Sequence, residues 1–124
     1  MNSKVIYKRL IKEIKFDREE FWLVGLDPLK NIVFSELLFL GTLRKCQIYP
    51  REIFRRGLLK NVDQLVIAHS HPPSCGIYPS DEDIKITLRL IEIGKFLDLE
   101  IADHIIVGHK NYFSFFDEGF LPKR

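Results

Sequence analysis

Apolar positions recur along this chain in two rhythms, one helical and one of short runs. From Ser3 onward, Val5, Leu10, Ile11 and Ile14 return at helical spacing with lysines between them, which predicts a first helix capped by Ser3. Residues 21–26 form an apolar run that predicts a strand, and residues 32–40 predict a second. Asp27-Pro28 and Lys30-Asn31 put turn chemistry between them, so the pair reads as a hairpin. Gly41 breaks the run, and residues 43–49 predict a third strand. Pro50 stands where a first helical residue is favoured, and Ile53, Phe54 and Leu58 give that helix one apolar face through Lys60. Residues 65–68 are wholly apolar, as expected of a strand covered on both faces. Ser80 opens a further helix with Ile84, Thr87, Leu88, Ile91 and Leu97 on one side and Arg89, Glu92 and Lys95 on the other. Residues 101–107 and 112–116 predict two last strands, joined by a turn over residues 108–111.

The order is helix, three strands, helix, strand, helix, two strands. It predicts an α/β architecture, a mixed β-sheet flanked by helices rather than a doubly wound parallel sheet. At 124 residues the chain reads as a single domain, 1–124. A chain of this size buries roughly two-thirds of the surface its unfolded form exposes, enough for a core without staples. Ten phenylalanines point to a core built partly on aromatics. A net charge of +2 is too mild to imply nucleic acid by itself. The two cysteines, Cys46 and Cys75, are unpatterned and fit a reducing compartment. No apolar stretch approaches the roughly 20 residues of a membrane span, and the N-terminus lacks the form of a secretory signal. The expectation is a cytoplasmic, soluble protein.

The chemistry concentrates in His69-Ser70-His71 and Ser80-Asp81-Glu82-Asp83. In a strand, residues i and i+2 share a face, so His69 and His71 project together just beyond the buried run. Ser80-x-x-Asp83 reads as a helix capping box with Asp in place of Glu, and equally as a hydroxyl and a carboxylate turned toward the histidines. The two readings are compatible, because a cap fixes the start of the helix and so positions its first turn. Between them, Pro72, Pro73 and Pro79 stiffen the loop and Gly76 lets it turn. His69, His71 and Asp83 make a three-ligand set for a divalent metal with one position left open, which suits a hydrolytic centre rather than a structural staple.

His69-Ser70-His71-Pro72 with Ser80-Asp81-Glu82-Asp83 resembles the JAMM motif of the JAB/MPN metalloproteases. The wider chain resembles the bacterial RadC subfamily. The matching segments are Arg18-Glu19-Glu20-Phe21, Leu26-Asp27, Gly41-Thr42-Leu43, Tyr49-Pro50-Arg51-Glu52-Ile53, Ile67-Ala68-His69 and Asp103-His104-Ile105-Ile106-Val107-Gly108. The resemblance implies the JAB/MPN fold, similar to that of cytidine deaminases, and zinc held by His69, His71 and Asp83. It implies Glu19 as general base, with Glu36 a second candidate, and Ser80 as hydrogen-bond donor to an oxyanion. The implied substrate is a peptide or isopeptide bond in a peptide or protein. The loop from His71 to Ser80 is one residue longer than the family's usual one, and there is no room for the helix-hairpin-helix region common in RadC proteins.

A second reading is a non-catalytic, DNA-repair-associated module that binds metal or nucleic acid. Arg51, Arg55, Arg56 and Lys60 form a basic helix face, read first as solvated and second as a nucleic-acid patch. Zinc deaminases need His-x-Glu with a Pro-Cys-x-x-Cys segment, which this chain lacks. Asp103 and His104 read either as partners behind the metal ligands or as structural residues at a sheet end. His109 reads as exposed, and Cys75 as a small loop residue.

Overall fold

Alternation along three central strands builds two apolar faces, and helices of matching amphipathicity close each of them. A computed structural model of the chain describes residues 2–41 and 49–121. Its elements are α1 (Ser3–Leu10), β1 (Glu20–Leu26), β2 (Ile32–Leu40), α2 (Pro50–Leu59), β3 (Gln64–Ser70), a 3-10 turn (Pro73–Cys75), α3 (Asp81–Leu97), β4 (Glu100–Val107) and β5 (Tyr112–Ser114). The strands form one five-stranded sheet in the order β2-β1-β3-β4-β5. All neighbours run antiparallel except β3 and β4, which are parallel and joined through α3. The mixed α/β architecture expected from the pattern is the one observed.

On one face, Trp22, Val24, Leu26, Val66, Ala68, Ile105 and Val107 pack against Ile6, Leu10 and Ile14 from α1 and the turn after it. On the other, Phe21, Leu23, Leu65, Ile67 and Ile101 pack against Ile53 and Phe54 of α2 and Leu90 of α3. A third cluster, Ile106, Phe113, Phe115 and Leu121, closes the β4–β5 end. β1, β3 and β4 are buried almost throughout, because the helices cover both faces. Gly94 lets the end of α3 press on the chain that follows it: a Cβ there would lie 2.4 Å from the Leu99 carbonyl oxygen.

The hairpin of β1 and β2, the Pro50 start of α2 and the Ser80 start of α3 fall where the pattern puts them. Four details differ. Asn2, not Ser3, caps α1, its side chain accepting from the Lys4 N–H. Ser3 is instead buried, donating to Asp117 and lying 3.3 Å from the Tyr112 hydroxyl. On α3, Leu88 and Leu97 are exposed, and the buried side is Asp83, Thr87, Leu90 and Gly94. β5 ends at Ser114, because the Phe116 N–H turns inward to Asp103 Oδ1 at 2.9 Å. The predicted third strand, Cys46 and the Gly41-Thr42-Leu43 match lie largely outside the described residues, as residues 42–48 are not described. Among the described residues no helix is long and apolar enough to cross a membrane.

Candidate metal centre

Three elements converge at the C-terminal end of β3. His69 is its penultimate residue, and His71 follows the strand on the same face. Asp83 is the third residue of α3, delivered by a complete capping box. The Ser80 N–H donates to Asp83 Oδ2 at 2.8 Å, and the Asp83 N–H donates to Ser80 Oγ at 3.1 Å. This reciprocal cap aims the other carboxylate oxygen at the histidines: Asp83 Oδ1 lies 3.4 Å from His69 Nε2. The two Nε2 atoms of His69 and His71 are 2.8 Å apart. One ligand atom from each of His69, His71 and Asp83 falls within 4.8 Å of the others.

The side chains suit a cation in that position. Asp83 is 1% exposed and its Oδ1 has no hydrogen-bond partner. A buried carboxylate oxygen without a donor is costly unless positive charge faces it. His71 Nδ1 lies 2.8 Å from the Gly76 carbonyl, which can only accept, so Nδ1 carries a hydrogen and Nε2 is the ring nitrogen left to face the cluster. Gly76 makes that carbonyl available by adopting φ 66°, a conformation that favours glycine. Burial pushes the His69 imidazole down to about 4, against the pull of Asp83, so this ring stays neutral at physiological pH. Neutral imidazoles and a carboxylate are the donors of an open, three-ligand divalent site.

Glu19 stands just before β1. Phe21 pairs with His69 in antiparallel register, and that register continued past the strand ends would set Glu19 opposite His71. Its carboxyl is half-buried and raised above the ordinary value by burial, with His71 opposing and Asp83 adding. Its backbone is held firmly. The Ser70 hydroxyl accepts from the Glu20 N–H at 2.9 Å and donates to the Arg18 carbonyl at 3.4 Å, and the Gly41 N–H donates to the Glu19 carbonyl at 3.0 Å. Glu20 faces the other way, its carboxylate accepting from Trp22 Nε1 at 3.0 Å and the Lys15 N–H at 2.6 Å. Glu36 is not brought to the cluster. It pairs with Leu23 in the sheet, and its carboxylate holds Arg56 at 2.7 Å and Lys60 at 3.6 Å.

Behind His69 lies a second buried histidine. His104 Nε2 is 3.0 Å from His69 Nδ1, and His104 Nδ1 is 2.5 Å from Thr87 Oγ1. Asp103 does not touch the cluster. It accepts from the His104 and Phe116 N–H groups and from the Ser114 hydroxyl, tying β4 to the turn beyond β5. Sequence reasoning passed over Ser70 and Thr87. The signal for Ser70 was available, since the residue between two same-face histidines must project through the other face of the strand. His109 and Cys75 are exposed, His109 with its ring against Phe16. A groove of about 290 Å³ borders Pro72, next along the chain from His71, and is lined by Ile77, Gly108 and Lys110 among others. A cavity of about 630 Å³ between Gln64, Lys95 and Glu100 lies at the opposite end of β3 and β4 and includes none of these residues.

A His-x-His strand end met by an acidic helix start, on a mixed sheet with helices on both faces, defines an α/β protein with a candidate metal centre. A family model described as a RadC-like JAB domain matches residues 1–120, and the chain belongs to that family. JAB domains at large include metalloproteases.

Proposed function

We propose that this chain is a zinc-dependent metallohydrolase of JAMM type that cleaves a peptide or isopeptide bond. The observation that carries the reading is the buried, unpartnered Oδ1 of Asp83, aimed at two imidazoles whose nitrogens crowd one point. His69, His71 and Asp83 would hold the zinc, which when bound supplies Lewis acidity and lowers the pKa of a water to about 7. Glu19 accepts the proton of the attacking water and returns it to the leaving amine. Its raised proton affinity, from burial, brings it closer to that task than a solvated glutamate would be. The Ser80 hydroxyl accepts from the Asp83 N–H and keeps its own hydrogen for the developing oxyanion. The groove bordering Pro72, the residue after His71, would give an extended peptide a place to lie.

The alternative, a non-catalytic module that binds DNA, would rest on the basic face of α2. That face is largely answered from within: Arg56 and Lys60 pair with Glu36, Arg55 pairs with Glu52, and Arg51 sits over the Tyr49 ring. Zinc content and hydrolysis of a model isopeptide, measured together on protein purified without chelator, test the proposal. One equivalent of zinc and metal-dependent cleavage are expected, both lost in Asp83→Ala. A metal-bound protein inert to peptide and isopeptide substrates, with salt-dependent binding to duplex DNA, would favour the alternative.

A further inference from the structure

We propose that Thr87 and His104 form a directional hydrogen-bond relay that sets the tautomer of His69, so that its Nε2 lone pair faces the metal position. The inference rests on the reading of His69 as a ligand and adds two positioning residues to it. The polarity of the relay follows from its far end. Thr87 Oγ1 lies 2.6 Å from the Asp83 backbone carbonyl, one helical turn earlier. A carbonyl only accepts, so the single hydroxyl hydrogen of Thr87 is committed there. Toward His104 Nδ1, at 2.5 Å, the same oxygen must accept, which places the hydrogen of His104 on Nδ1. Nε2 of the neutral His104 ring is then bare, and it accepts from His69 Nδ1–H at 3.0 Å. His69 is left with a bare Nε2, pointing at Asp83 Oδ1 and His71 Nε2.

The reverse polarity fails at a definite atom. If His104 carried its hydrogen on Nε2, the Thr87 hydroxyl would turn to His104 Nδ1. Two oxygen acceptors, Thr87 Oγ1 and the Asp83 carbonyl, would then face each other at 2.6 Å inside the core. His69 would carry its hydrogen on Nε2, where it blocks a metal. The rings are also held in orientation. Phe115 stacks on His104 at 4.6 Å and 9°, and Phe21 lies parallel to His69 at 6.1 Å and 15°. His104 is wholly buried, so bulk solvent does not reach it to take the place of Thr87. One helix, α3, therefore supplies both a metal ligand and the anchor of the relay, since Asp83 and Thr87 are one turn apart. Partners of this kind behind a ligating histidine typically change metal affinity by about 10–100-fold when removed.

The test reads the side-chain nitrogens of His69 and His104 by NMR in metal-free protein, and zinc affinity by chelator competition, in the wild type, Thr87→Val and Thr87→Ser. In the wild type, both rings should carry hydrogen on Nδ1. Thr87→Val should shift His69 toward the Nε2–H form and weaken zinc about 10–100-fold, while Thr87→Ser keeps both properties. Hydrogen on His104 Nε2 in the wild type, or a folded Thr87→Val protein with wild-type zinc affinity, would overturn the relay. Absence of zinc uptake by the wild type would instead sink the metal-centre reading. The tautomers are read without metal and without the valine variant, so they test the relay even where the wild type takes up no zinc.

Discussion

The Ser70 hydroxyl accepts the Glu20 N–H at 2.9 Å and so fastens the start of β1 to the end of β3. Its other contact is the Arg18 carbonyl, so the two bonds bracket Glu19. Ser70 and the histidines on either side of it thus lie on opposite faces, Ser70 holding Glu19 from behind while the two imidazoles project in front. Ser70→Ala leaves the buried Glu20 N–H without a partner, which should cost about 1–3 kcal/mol in unfolding free energy. It should also slow turnover, at about 10² for an ångström of misplacement, with zinc content unchanged. Denaturant unfolding and kcat, measured alongside metal content, check this. Loss of zinc in the variant would show that Ser70 supports the ligands rather than Glu19.

Glu19 and Glu36 differ in what surrounds them, and the difference separates their variants. Glu19→Gln should keep zinc and lose about 10²–10⁴ in rate. Glu36→Gln breaks a partly exposed pair with Arg56 and Lys60, an effect of about 1 kcal/mol at most on stability and none on rate. The pH profile follows from the sign of the Glu19 shift. A base works deprotonated, and burial raises its proton affinity, so activity should fall with decreasing pH at a value above the ordinary glutamate range. An acidic limb at the solvated glutamate value, or one unchanged in Glu19→Gln, would remove Glu19 from this role.

The cluster was legible in the sequence because its parts are local. The i, i+2 rule places His69 with His71, and a capping box places Asp83 within the first turn of a helix. What was not legible depends on register between distant strands. His104 stands opposite Ile67, on the face of His69, only after a register shift between β3 and β4 at Val66 and Asp103. No pattern in the sequence announces such a bulge. Thr87 looked like one more residue of an amphipathic face, and its significance appears only with His104 beside it. Ser3 failed as a cap for a similar reason: Tyr112 and Asp117, from the other end of the chain, claim its hydroxyl and leave Asn2 to start α1. The exposure of Leu88 and Leu97 was equally out of reach, since helical periodicity gives a stripe but not which edge of it meets the sheet.

Ser80 caps α3, and substitutions can separate that role from the proposed one of oxyanion donor. As N-cap of α3 it is worth about 0.5–2 kcal/mol against alanine but only a few tenths against glycine. As an oxyanion donor it is worth about 10²–10³ in kcat, lost equally in both variants. Ser80→Ala and Ser80→Gly should therefore share one rate defect and differ in melting temperature. Rates that follow the melting temperatures would mean that the hydroxyl acts through the cap alone.

Asp103 gives the fold a pH dependence of its own. Burial raises its carboxyl to about 6, although three hydrogen bonds, from Ser114, Phe116 and His104, pull the other way, and Asp117 adds to the rise. A carboxyl with a folded value above its unfolded one binds protons more tightly when folded, so stability falls as pH rises between about 4 and 6. Ionised Asp103 is the costlier state, by up to about 3 kcal/mol. Asp103→Asn keeps an oxygen acceptor for the two N–H groups and cannot ionise, while the Ser114 hydroxyl can rotate to accept from the amide. The stability difference between wild type and Asp103→Asn, followed in metal-free protein from pH 7 to pH 4, should move in favour of the wild type as pH falls. Using the variant as reference cancels the contributions of every other group, which both proteins share. A difference that stays flat over that window would mean that the hydrogen bonds, and not burial, govern Asp103.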